Sequence, residues 1–390
     1  MAKRPAAAGS GSIRKRTVTR KDGTTRTFWE ARYSLGLDPV TRKQRQKSIT
    51  GSTQREVAQK LRAAVAAIDA GTYKMPCELT VGEFLDVWVK EYLVGCKPLT
   101  VKNYSEQVRK HLKPALGSIR LDKLTPHTIQ RFYNGLTASG LAPKTVKNIH
   151  GVLHSALQQA LLNGLITVNP SNACKLPRVT KPEIRPLEPE EIKAILREAQ
   201  LDDYCNLFIV ALFTGMRQGE LLGLSWDYVN FDTGIITIKR QLQCKDGEYF
   251  LETPKSGRGR SILPAPVVME ALKKEQEKQK AAKAFAGVCW SNPMNLVFTD
   301  AIGKHLVRRT VVKHFKKVAE RAGVEESRFH DLRHTFAVTS LYAGDDIKSV
   351  QANLGHATAQ FTLDVYGHVT QTMRKESAER MQRFYDKLYE

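Results

Sequence analysis

Nowhere in this chain of 390 residues is there a run of about 18 apolar residues, the length a helix needs to cross a bilayer, and no lipidation motif is present. Membrane attachment is therefore not expected. Cysteine is scarce and scattered: Cys77, Cys96, Cys174, Cys205, Cys244 and Cys289 form no C-x-x-C pair. That spacing argues against a cysteine zinc site and a disulfide framework, leaving ordinary reduced thiols. The first residues, MAKRPAAAGSGSIRKR, are basic but lack the apolar core of a secretory signal, so a cytoplasmic location is expected. Acid is also in short supply. Asp and Glu number 39 against 61 Lys and Arg, a formal net charge of +22. Such a surface repels itself unless a polyanion lies against it, and nucleic acid is the first polyanion to consider.

The length predicts more than one domain. Residues 1–62 carry sixteen Lys and Arg against four acids, over half of the net excess. Within them Thr24–Tyr33 and Arg42–Ile49 read as strands, with turns at Lys21-Asp22-Gly23 and Leu37-Asp38-Pro39. From Thr53 apolar residues recur at helical spacing, and Glu56 three residues on suggests a capping box. A basic three-stranded sheet on one helix is expected over residues 1–75, and such a sheet can lay one face in a major groove. The plainer alternative is a solubilising basic tail. Residues 76–176 read as a helical bundle, with helices over Val81–Leu93, Thr100–His111, Thr125–Leu136 and Pro143–Leu162. Pro177, Pro182 and Pro186 mark a linker over 177–188. The third unit, 189–390, opens with helices at Glu188–Ala199 and Cys205–Thr214. Strands follow near Gly234–Lys239, Tyr249–Thr253 and Arg260–Leu263, and helices resume from Val267. The class is multidomain α+β: a small N-terminal sheet with a helix, a helical bundle, and a mainly helical domain with a small antiparallel sheet.

The third unit contains, in order, Thr214-Gly215-Met216-Arg217-Gln218-Gly219-Glu220-Leu221-Leu222-Gly223-Leu224, then Thr253-Pro254-Lys255, His330-Asp331-Leu332-Arg333-His334, Leu354-Gly355-His356 and Tyr366-Gly367-His368. Singly these are weak signals. Together, in this order, they resemble the tyrosine recombinase family, which includes lambda-type phage integrases and integrases of conjugative transposons. The resemblance spans essentially the whole chain. It implies an arm-type DNA-binding module (1–75), a core-binding domain of SAM-like type (76–176) and a catalytic domain with a C-terminal tail helix (189–390).

What the resemblance implies chemically is strand exchange through a 3′-phosphotyrosyl bond. Tyr366 is the nucleophile. Arg217 and Arg333 clamp the nonbridging oxygens, which guanidinium groups meet bidentately without losing their proton. A phenol of pKa about 10 needs a proton acceptor, assigned to His330, and the departing 5′-oxygen needs a donor, assigned to Lys255. His356 hydrogen-bonds a nonbridging oxygen or orients Tyr366. Taken alone, Tyr366 would read as a packing residue, and Lys255 competes with Lys245, Arg258 and Arg260 in one basic segment. Glu220 and Asp331 suit ion pairs that orient an arginine, and Gly215 and Gly355 suit tight turns. His330 and His334, four apart, could also be metal ligands. The intervening Arg333 and the missing glutamate of H-E-x-x-H argue against that, so neither metal nor cofactor is expected.

The implied partners are double-stranded DNA at core and arm sites, three further copies of this chain in a DNA-bound tetramer, an excisionase and a host DNA-bending protein. The helical tail Val369–Glu390 fits either a neighbouring protomer or its own domain. The competing functions are a noncatalytic architectural DNA-binding protein, a type IB topoisomerase and a resolving recombinase. A resolving enzyme needs only the helical and catalytic domains, so the extra basic module favours integration and excision of a mobile element.

Overall fold

The structure, a computed structural model, describes residues 11–19, 23, 25–37, 44–70, 78–180, 185–254, 257, 259–355 and 370–389. They fall in two compact units, Met1–Val179 and Thr180–Glu390. The class is the α+β one expected, mostly helical with small antiparallel sheets. None of the described helices is long and apolar enough to cross a membrane.

The first unit opens with an antiparallel sheet of β1 (Gly11–Thr19), β2 (Thr25–Leu37) and β3 (Gln44–Gly51) in that order. Ile13, Ala31 and Ile49 stand side by side across the three strands. With period two, the residues that flank Ala31 along β2 at a spacing of two share its face, which α1 (Gln54–Asp69) covers. Ala31, Tyr33 and Val57 are buried there. The Thr53 hydroxyl accepts from the Glu56 N–H, as the sequence suggests. The Glu56 carboxylate reaches one residue further back than a capping box requires, taking the N–H and hydroxyl of Ser52. The turns expected at Lys21-Asp22 and Asp38-Pro39 lie outside the described residues.

On the opposite face Glu30 is only 6% exposed, at the centre of a ring of arginines. Arg14 and Arg16 approach its carboxylate at 3.2 Å each and Arg32 at 3.5 Å. Alternation explains the grouping: Arg14 is the direct cross-strand partner of Glu30, Arg16 that of Phe28, and Arg32 lies two residues along β2.

The bundle comprises α2 (Val81–Val87) continued by a π-helical turn to Tyr92, α3 (Pro98–Gln107) continued by another to Leu112, α4 (Lys113–Leu116), α5 (Pro126–Ala138) and α6 (Pro143–Leu162). Thr80 and Glu83 form a reciprocal capping box at the start of α2. α6 buries Val146, Ile149, Val152, Leu153, Ala156, Leu157 and Ala160, one stripe at three- and four-residue spacing, against Phe84, Leu85, Trp88 and Tyr133.

In the second unit α7 (Pro189–Ala199) is followed by α8 (Cys205–Thr214), which is apolar nearly all round and therefore belongs in a core. It packs on α10 (Pro266–Ala286) and α12 (Asp331–Tyr342). Phe208 meets Phe315 of α11 (Arg308–Arg321) and Phe329 with ring centroids 5.6 and 6.2 Å apart. Between α9 (Gln218–Leu222) and α10, strands β4 (Ile236–Ile238) and β7 (Arg260–Ile262) pair antiparallel, as do β5 (Gln241–Lys245) and β6 (Glu248–Glu252). The antiparallel sheet expected here is thus two separate two-stranded pieces. Strand β5 has a single large apolar residue, Leu242, and carries no alternation to read. α13 (Ile347–Leu354) and α14 (Thr370–Lys387) complete the unit. Leu187, in the segment expected to be linker, is buried and donates its N–H to the Thr335 hydroxyl at 3.0 Å.

Candidate active site

α8 stops at Gly215, whose φ of +59° is open to glycine at no steric cost. A Cβ there would lie 2.5 Å from Phe336 Cδ1 and 2.6 Å from Leu354 Cδ2. The turn delivers Arg217 as the N-cap of the short helix α9. Three residues on, Glu220 is fully buried, and its side chain reaches back to the Arg217 N–H at 3.0 Å and Nη1 at 2.8 Å.

A second guanidinium meets the same carboxylate. Arg260, at the start of β7, donates from Nη1 at 3.1 Å and from Nη2 at 2.8 Å. An ionised carboxylate has about four acceptor sites, and these bonds from two arginines fill them. Burial pushes the Glu220 pKa up, but the bonds and charge of Arg260, then those of Arg217, outweigh it and hold the group at about 2. The sign for stability follows: the contribution is complete above the ordinary carboxylate range and is lost as pH falls from about 4.5 through about 2.

The other predicted arginine comes from α12. Arg333 is 4% exposed, and its Nη1 donates to the Gly215 carbonyl at 2.6 Å while Nη2 donates to the Leu354 carbonyl at 2.8 Å. The last turn of α13 is where the three guanidinium groups meet. Arg260 Nε donates to Asn353 O at 2.7 Å, Arg333 to Leu354 O, and Arg217 Nη2 to Gly355 O at 3.2 Å. Three consecutive carbonyls that a helix C-terminus would leave unpaired each receive one arginine. Gly355 closes the helix at φ +62°, and a Cβ on it would fall 2.9 Å from Arg260 Nη1.

His330 precedes α12, and its ring meets that of His334 edge-on at 5.0 Å. Burial first, and then the charge of Arg333, lowers the His330 pKa below its ordinary value, and burial with His330 beside it lowers His334 to about 4. Both imidazoles are therefore neutral at neutral pH, the state in which a histidine can accept a proton. Asp331 pairs with Arg328 at 2.9 Å, an arginine the sequence had not singled out. Among the described residues no three His, Cys, Asp or Glu side chains gather as a metal site would require.

Of the six residues expected from sequence, Arg217, His330 and Arg333 are described and lie together. Lys255, His356 and Tyr366 lie outside the described residues. Gly355, the last described residue before His356, is held by Arg217. Arg260 belongs to none of the motifs and in the sequence is one of several charges around Lys255. Its signal was there in the strand period: it stands two residues before buried Ile262 and directly opposite buried Ile238, so it faces inward.

A model of the phage integrase family matches residues 185–373, and one of the phage integrase N-terminal SAM-like domain matches residues 80–137. A tyrosine recombinase XerC-like protein of Caldanaerobacter subterraneus subsp. tengcongensis is 27% identical, covering 94% of this chain and 98% of the relative. The fold is similar to that of the Tn1549 transposon integrase in complex with a circular intermediate DNA, with 24% identity, a TM-score of 0.66 and coverage of 78% of this chain and 99% of that one. A lambda integrase tetramer bound to a Holliday junction is 21% identical with a TM-score of 0.55, covering 89% and 94%.

Proposed function

The chain belongs to the phage integrase family of tyrosine recombinases, and from that premise we propose that it integrates and excises a mobile element, with Tyr366 as its nucleophile. The observation that carries this reading is the convergence of Arg217 and Arg333, with neutral His330 beside them, on the helix end that leads into His356 and then Tyr366. Guanidinium groups held by main-chain carbonyls and one buried carboxylate are fixed before DNA arrives, which is what electrostatic stabilisation of a phosphorane-like transition state needs. The Tyr366 oxygen attacks phosphorus and its proton passes to His330. The phosphorus–O5′ bond breaks, Lys255 protonates that oxygen, and a 3′-phosphotyrosyl ester and a free 5′-hydroxyl result. The ester conserves the bond energy, so another strand's 5′-hydroxyl reverses the step without ATP. His356 adds a hydrogen bond to a nonbridging oxygen.

The reading is tested by trapping. A duplex selected by the full-length chain from a random-sequence pool is nicked near the cleavage position and incubated without added metal. Wild type is expected to give a covalent protein–DNA band on a denaturing gel, and Tyr366→Phe none. DNA binding without an adduct from the wild type would return the architectural alternative, and an adduct from the phenylalanine variant would move the nucleophile elsewhere.

The proposal extends to DNA at core sites through the bundle and at arm sites through the N-terminal sheet, to a tetramer of the kind seen with lambda integrase, and to a cytoplasmic, nucleoid-associated setting with an excisionase and a host bending protein. Arg14, Arg16 and Arg32 around Glu30 give the sheet a cationic face whose one acid spaces the guanidinium groups. Replacing Glu30 with Gln removes a negative charge from that face, so nonspecific duplex binding should tighten and the log–log salt slope should steepen, by up to about 0.9 if one more phosphate is engaged. Titration of a random-sequence duplex at several salt concentrations checks this. An unchanged slope would mean that the face does not meet phosphate.

A further inference from the structure

We infer that Arg260 is a positioning residue for strand cleavage, one that fixes Arg217 through their shared carboxylate and the α13 end through Asn353. The inference rests on the recombinase reading above. Arg260 spends Nε on the Asn353 carbonyl and both terminal nitrogens on Glu220, and its side chain is only 10% exposed. It is thus badly placed to serve as a phosphate contact itself. Arg217, by contrast, is 25% exposed and bonds Glu220 and Gly355 through one N–H of each terminal nitrogen among the described residues. Its remaining N–H groups are the ones available to an anion.

The arrangement has a mechanical logic. Glu220 could follow Arg217 alone through several rotamers, because both sit on one short helix. Arg260 arrives from a different element, β7, and grips both carboxylate oxygens side by side, which sets the plane of the carboxylate. Once that plane is set, the direction of the Arg217 guanidinium is set too. The same Arg260 side chain fills the space beside Gly355 that any other residue's Cβ would need. One residue therefore ties the first arginine of the clamp to the backbone from which the chain runs toward His356 and Tyr366. β7 also follows the segment that carries Lys255, so the strand joins three parts of the expected machinery.

The test compares full-length wild type, Arg260→Gln and Arg260→Lys on the selected nicked duplex, measuring single-turnover adduct formation at saturating protein, half-saturation of DNA binding, and its salt slope. Arg260→Gln is expected to cleave about 100-fold more slowly, the loss that a displacement of about 1 Å in a reacting geometry can cause, with half-saturation and salt slope unchanged. Arg260→Lys keeps a charge against Glu220 but cannot also hold Asn353, and it should recover part of the rate. A phosphate contact would instead weaken binding and flatten the slope by about 0.9, which overturns the inference, as does cleavage by Arg260→Gln at the wild-type rate. Should the glutamine variant fail to fold, the lysine variant decides alone: slower cleavage with unchanged binding supports the assignment, and full-rate cleavage overturns it. If the wild type forms no adduct, the recombinase reading itself falls.

Discussion

Arg333→Ala should bind duplex DNA and fail to cut it. The loss of one preorganised donor to a developing oxyanion costs about 3–4 kcal/mol of barrier, which slows adduct formation roughly 10²- to 10³-fold. A second cost is structural. Arg333 is 4% exposed and bonded to the carbonyls of Gly215 and Leu354, so alanine leaves two buried acceptors without their charged donor. Each such orphan costs about 1–3 kcal/mol unless water reaches it. Activity and thermal melting should therefore fall together in Arg333→Ala. Arg333→Lys separates them, because an ammonium can serve one carbonyl but cannot bridge both and still face a phosphate. Its melting should recover more than its cleavage rate. Single-turnover trapping alongside calorimetry reads both quantities, and a cleavage rate for Arg333→Ala close to wild type would remove this residue from the clamp.

Gly215→Ala should be nearly as damaging although it touches no charge. A left-handed backbone costs an ordinary residue about 1–2 kcal/mol. The new methyl would also stand at 2.5 Å from Phe336 and 2.6 Å from Leu354, both ring or branched atoms in packed surroundings. Overpacking of this kind costs about 1–3 kcal/mol. In a unit of this size each kcal/mol lowers the melting temperature by roughly 2–4 °C, so a fall on the order of 10 °C is expected. Gly323→Ala is the control. It has φ +72° but nothing within 4 Å of the added carbon, so it bears the backbone strain without the collision. Equal melting temperatures for the two variants would show that the packing around Gly215 gives way. Because the Gly215 carbonyl holds Arg333, cleavage by Gly215→Ala should remain impaired at temperatures where the protein is folded.

The sequence singles out candidate residues more readily than it shows the bonds that hold them. Arg217 and Arg333 were legible because each stands in a short motif of distinctive spacing, and α6 because its apolar stripe repeats over twenty residues. β1 was harder to see as a strand, since GSIRKRTVT reads as a basic tail until Arg14 and Arg16 are set on the face that holds Glu30. Glu220 was expected to orient an arginine, but nothing local says that it serves two. Its second partner is 40 residues away in sequence and reaches it only because β7 pairs with β4. Side-chain convergence of that kind is a product of tertiary packing, which residue spacing does not encode.

The guanidinium anchors on α13 are backbone oxygens of Asn353, Leu354 and Gly355 rather than side-chain groups. Any residue at 353 supplies the same carbonyl, provided that the helix ends where it does. Drift at that position is thus invisible to the arginines, whereas an insertion or deletion of a single residue before Gly355 would rotate the helix end by about 100° and present them with the wrong oxygens. At position 353 the geometry of the site is inherited as a length and not as a letter, whereas at 355 the glycine itself is required.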